Sequence, residues 1–212
     1  MGSFFIREAA LDVLVDTVAV QDRDLLSRLN AYFATLDARL REAQGWLIFN
    51  APPGSGRRGS RLVRFMLERL AAQSPFVSYY HVPWRDFALN AYMMRVELAS
   101  HFNLAAGGPS GSVQVNQQYH LAEKVSSSQH FQMRFCDLLL IADTRPKLAH
   151  EVVHLADIIG DRYRARRATI LVLPGSPAEA DATFAAIDPS QASTALWQQI
   201  YAQMYQTSLL AL

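Results

Sequence analysis

Trp46-Leu-Ile-Phe-Asn-Ala51-Pro-Pro-Gly-Ser-Gly-Arg57-Arg58-Gly-Ser-Arg-Leu62 is the stretch from which the rest of the chain can be read. Trp46–Asn50 is a short apolar run of the kind that forms a buried strand. The Pro/Gly/Ser segment 51–56 breaks it as a turn. From Arg58 to Ala72 the spacing predicts a helix, with Leu62, Val63, Met66, Leu67 and Leu70 on one face and Arg61, Arg64 and Glu68 on the other.

A strand, a glycine-rich turn and a helix are the setting of a phosphate-binding loop, G-x-x-x-x-G-K-[ST]. In that loop backbone N–H groups and the helix N-terminus cradle phosphates, the lysine reaches the β- and γ-phosphates, and the hydroxyl holds Mg²⁺. Here Ala51 and Gly56 take the two glycine places, Arg57 the lysine's and Arg58 the hydroxyl's, with Pro53, Gly54 and Ser55 between. Arg57 keeps the charge in a bulkier, planar form. Arg58 removes the metal-binding hydroxyl and puts a cation where the metal belongs. A register from Gly54 to Gly59 places Ser60 and Arg61 at the last two positions and fits less well. The plain alternative is an ordinary Gly/Pro turn.

Working outward, Leu25, Leu29, Tyr32, Phe33, Leu36 and Leu40 recur at helical spacing, with Asp22 or Asp24 as cap and Gly45 as the helix stop. Phe76–Val82 reads as a strand closed by Pro83, Ala88–Phe102 as a helix, 105–118 as a loop and Tyr119–Phe135 as a helix. Cys136–Ala142 and Ala168–Leu173 are apolar runs suited to central parallel strands. Helices are expected over Pro146–Ile159 and Thr194–Tyr205. Strands alternating with helices imply an α/β fold with a parallel sheet flanked by helices.

A nucleotide hydrolase also needs an apolar strand ending in Asp for Mg²⁺, often followed by Glu to activate water. Cys136–Asp143 supplies the strand and the Asp, but Thr144 stands where the Glu belongs, and a threonine is no base at neutral pH. After the next strand, Ser176 takes the place of a polar sensor. From Arg39 to about Ser176 this order resembles the AAA+ core of P-loop NTPases, and within it the transposition regulators of the TniB and MuB type. Those families carry a strand ending in Val-Pro, like Tyr80-His-Val-Pro83. The resemblance implies one AAA+-like domain over 1–212: an N-terminal helical segment 1–44, a core 45–176 and a C-terminal helical segment 177–212, too short for a full helical lid. It also implies a site at Pro53, Gly54, Ser55, Gly56, Arg57, Arg58 and Asp143.

His150-Glu151-Val-Val-His154 is a competing motif. On a helix its histidines share a face and its glutamate can serve a zinc-bound water, so a zinc-dependent hydrolase is the main enzyme alternative. No third ligand is evident. Arg61 and Arg64, with Arg162, Arg164, Arg166 and Arg167, form two basic clusters. They are candidate nucleic-acid or partner contacts, with solvated helix ends as the plainer reading, and the AAA+ resemblance adds an arginine-finger role for the Arg162–Arg167 cluster.

The 212 residues carry 20 Lys+Arg against 19 Asp+Glu, so no global basic field marks a nucleic-acid binder. The single cysteine, Cys136, forms no internal disulfide, and no run approaches the ~18 apolar residues of a membrane span. These features favour a cytoplasmic pseudo-ATPase: a scaffold or regulatory subunit that needs no cofactor. It is expected to hold ATP or ADP weakly if at all, not to take Mg²⁺, and to work with protein partners, an active ATPase among them. Nucleic acid is a second partner class, no membrane is expected, and a weak ATPase using Arg57 is the remaining enzyme alternative.

Overall fold

The computed structural model describes residues 20–73, 77–104, 113–188 and 190–212. The chain divides into two compact units, Met1–Leu36 and Asp37–Leu212. In the first, helix α1 (Val20–Ala34) aligns Leu25, Leu29, Tyr32 and Phe33 along one face, with the Tyr32 and Phe33 rings edge to face at 5.2 Å. It stops at Thr35, whose hydroxyl donates to Ala31 O (3.1 Å), and α2 (Leu36–Arg41) follows; the single helix expected here is two.

The helix stop is also not where glycine suggested. Ala43 takes the left-handed conformation (φ 56°), with Gln44 N donating to Arg39 O and Ala43 N to Leu40 O, a Schellman ending. Gly45 instead opens β1 (Gly45–Ile48), and a Cβ there would lie 1.8 Å from Thr169 O. Glycine is needed at that position for close strand approach rather than for a turn.

The elements after β1 are α3 (Arg58–Gln73), β2 (Tyr79–Pro83), α4 (Trp84–Leu104), α5 (Val113–Phe135) and β3 (Leu138–Ala142). They continue with α6 (Ala149–Arg164), β4 (Ala168–Val172), α7 (Pro177–Ala185), α8 (Ala192–Thr207) and β5 (Ser208–Ala211). The five strands form one sheet in the order β2-β3-β4-β1-β5, every neighbouring pair parallel. β1, β3 and β4 are buried throughout, as their continuous apolar runs require.

On one sheet face Leu47, Phe49, Leu139, Ile141, Leu171 and Leu173 pack with α4 to α8 through Phe87, Met133, Leu155, Phe184 and Trp197. α3, with Leu62, Met66 and Leu70 buried, takes part with β2 and β3 in lining a cleft.

Several boundaries move. Strand β2 begins at Tyr79 rather than Phe76, with 74–76 outside the described residues, and Pro83 leads directly into α4 instead of a loop. Helix α5 starts at Val113, so it replaces the second half of the loop expected over 105–118; 105–112 lie outside the described residues. β3 starts after Asp137, whose carboxylate accepts from Ser78 N (3.0 Å) and Ser78 Oγ (2.5 Å) and so locks the entries of β2 and β3 together. α7 falls in the helical segment expected over 177–212, whereas β5 within that segment was not expected. Among the described residues no helix is long and apolar enough to cross a membrane.

Candidate functional site

The loop after β1 is held mainly by its own chain. Phe49 N donates to Ala211 O, Asn50 N to Gly175 O and Ala51 N to Leu173 O, so the strand end is tied to both neighbouring strands. Gly54 (φ 124°) and Gly56 (φ 69°) take the turns that favour glycine, and Arg57 N closes one onto Gly54 O at 3.1 Å. At the start of α3, Gly59 N donates to Pro52 O, and a Cβ on Gly59 would sit 2.3 Å from Ala51 O. This glycine lets the helix press against the loop. Ser60 Oγ accepts from Gly54 N at 3.0 Å, occupying an amide that an anion in the loop would need.

Arg57 and Arg58 behave differently. Arg57 is exposed, its side chain lying over Gly54, beside Ser55 and Gly56, which are also exposed. Arg58 turns inward: Nη1 donates to Asn50 O (3.0 Å) and Phe49 O (3.4 Å), and Nη2 to Leu212 O (3.3 Å). Its charge is spent on carbonyls at the ends of β1 and β5.

Asp143, just past β3, has a left-handed backbone (φ 59°) and an ion pair with Arg145, Oδ1 to Nε at 2.7 Å. Burial pushes its carboxyl above the usual range while Arg145 pulls it back. Thr144 is buried, its N–H on Val172 O. The loop, α3, β2 and Asp143 line an open cleft of about 690 Å³, with Pro53, Ser60, Val63, Leu67, His81 and Asp143 on its walls.

The crystal structure of the DnaC helicase loader is similar to this chain, with TM-score 0.57 and 15% identity over 92% of this chain and 93% of that one. The crystal structure of a DNA replication initiation factor aligns at TM-score 0.48 and 13% identity over 87% of this chain and 45% of that one. No protein-family profile and no curated protein sequence matches. The five-stranded parallel sheet flanked by helices is the AAA+-like fold that the sequence implied, and it is shared with that helicase loader.

Within that AAA+ fold a Mg²⁺–nucleotide does not fit the residues present. The hydroxyl position holds a guanidinium, the aspartate is paired with an arginine, and no base follows it. Ser176, expected as a sensor, is the N-cap of α7: its Oγ accepts from Glu179 N while Ser176 N donates to Glu179 Oε2.

The zinc reading is not supported by the geometry. Glu151 is buried at the start of α6, its Oε2 accepting from Lys147 N at 2.8 Å. Asn90 Nδ2 donates to Ser126 O, which leaves Asn90 Oδ1 as acceptor and makes His154 Nε2, 3.1 Å away, the donor. His154 is packed between the Phe87 and His130 rings, and burial pushes its pKa down to about 4, with His130 and His150 adding to the effect. His150 lies beside Tyr92. Among the described residues no three His, Cys, Asp or Glu side chains converge as ligands.

Arg162 is likewise no contact residue. It is fully buried, and its guanidinium donates to Met133 O, Cys136 O, Asp137 O and Ala168 O and to Thr169 Oγ1. It joins the end of α5 to the start of β4. Arg64 pairs with Glu68 on exposed α3 surface, where Arg61 also stands exposed. Arg164 and Arg166 are exposed at the α6–β4 turn, and Arg167 there is half-buried. Arg145 was missed from sequence, and Gly59 and Ser60 entered there only as parts of the less well fitting loop register. Asp143-Thr-Arg145 did carry a signal, a cation two residues from the carboxylate.

Proposed function

We propose that this chain is a non-hydrolysing AAA+-fold subunit that works by binding partners, as a scaffold or regulator within a protein assembly. The observation that carries this reading is the internal use of the nucleotide machinery: Arg58 on the carbonyls of Phe49 and Asn50, and Asp143 on Arg145. A site whose metal position is filled by side-chain cations has no place for the ion that neutralises phosphoryl transfer. Its strands and loop remain as framework. A partner-directed role agrees in kind with a helicase loader and with the transposition regulators that the sequence resembles. An active ATPase is the partner type we favour, in a reducing cytoplasm where the buried Cys136 stays a thiol.

Calorimetric titration with ATP, with and without Mg²⁺, and a phosphate-release assay test this reading. We expect weak or no nucleotide binding, no gain on adding Mg²⁺, and no turnover. Mg²⁺-dependent turnover abolished by Asp143→Asn would overturn it and favour a weak ATPase using Arg57.

A further inference from the structure

Away from the loop, at the entry ends of β3 and β4, an aromatic pair stands in the open. Phe131 is 60% exposed and Phe135 48%, two of several large apolar side chains that this unit leaves in the open. Their rings are 4.4 Å apart between centroids with a 36° tilt, one turn apart on the last two turns of α5. The guanidinium carbons of Arg134 and Arg167 lie 5.9 and 5.7 Å from the Phe135 centroid. Asp161 is held between Arg134 and Arg164, so its charge is met within the group.

Arg166 adds a second, independent sign. It is an exposed arginine with φ 51°, a backbone state that glycine or asparagine adopts at lower cost. Keeping a long cation at a strained turn points to a use for that cation.

We propose that this end of α5 and the α6–β4 turn bind single-stranded nucleic acid, bases stacking on Phe131 and Phe135 and phosphates meeting Arg164, Arg166 and Arg167. Rings interleaved with guanidinium groups present flat faces and positive charge together, the combination that unpaired bases and their backbone fill. Stacking on them requires bases freed from a duplex, so single strands are selected. The surface lies at the opposite end of the strands from the phosphate loop and does not depend on the non-hydrolysing reading.

Fluorescence anisotropy of the full chain with a labelled oligonucleotide of about 20 nucleotides, and with its duplex, tests the surface. We expect single strands to bind more tightly than duplex. Phe131→Ala and Phe131→Leu should both weaken binding roughly tenfold, and Phe131→Tyr, which keeps the ring, should retain it. Arg164→Ala and Arg166→Ala should each make the salt dependence shallower, as the loss of a phosphate contact does. Arg41→Ala on α2 serves as the control for charge alone, and unchanged thermal melting confirms each variant's fold. No single-strand binding at about 50 mM salt, equal binding of duplex, or Phe131→Leu binding as the parent does would overturn the proposal.

Discussion

His154 shows how a residue that looks like a ligand is committed to the interior. Its Nε2 proton is fixed by Asn90, whose amide is in turn spent on Ser126 and Gln129, and the imidazole is neutral because burial penalises its charged form. In the unfolded chain the same ring titrates near 6.5, and in the folded chain near 4. Between those values the unfolded state binds the extra proton, so stability is full above about pH 6.5 and falls as the pH drops towards 4. His81 and His130, both lowered by burial, act in the same direction. The loss attributable to His154 is on the order of 3 kcal/mol. Urea denaturation across this pH range should show it, and His154→Gln, which keeps a donor for Asn90 but does not titrate, should flatten the slope. An unchanged slope in that variant would remove His154 as the cause.

At the scale of elements, the junctions depend on glycines whose roles differ. Gly45 faces Thr169 O at a distance no Cβ tolerates, and the obstacle is backbone of β4, which cannot step aside without losing the β1–β4 pairing. Gly45→Ala is therefore expected to cost about 3 kcal/mol or more. Gly56→Ala meets nothing within 4 Å and bears only the left-handed strain of φ 69°, about 1 kcal/mol. Chemical denaturation midpoints separate the two, and equal losses would refute the steric account. These junctions also mark the limit of what could be read in advance. β1, β3, β4 and α3 were legible because apolar runs and helical spacing are local signals, and the strand–turn–helix at Trp46–Leu62 located the loop. Gly45 was misassigned because sequence does not distinguish a glycine needed for positive φ from one needed for close approach. Arg162 looked like a surface cation because most of its carbonyl partners lie 25 to 29 residues away, on the end of α5 and the approach to β3. Arg58 was legible as a departure from a working loop, but its inward course to Leu212 was not.

At the scale of the whole molecule, the last strand closes the sheet at the loop. Ser208-Leu-Leu-Ala211 follows α8 without a turn residue and is too short to announce itself, yet it pairs with Gly45–Ile48 along its full length and turns β1 from an edge strand into an interior one. The end of β1 is fastened to it twice, through Phe49 N on Ala211 O and through Arg58, which bridges Asn50 O and Leu212 O. Arg58 thereby does structural work at the position where a hydrolase places its metal hydroxyl. Removing residues 208–212 deletes those pairings, each worth about 1 kcal/mol, and opens β1 as an unprotected apolar edge. The truncated chain should lose roughly 3 to 5 kcal/mol and self-associate, measured by denaturation and light scattering. Arg58→Ala alone should cost about 1 to 2 kcal/mol. Because part of that cost comes from the bond to Leu212, Arg58→Ala in the truncated chain should cost measurably less than in the full one. Additive losses would mean that Arg58 does not couple the loop to β5.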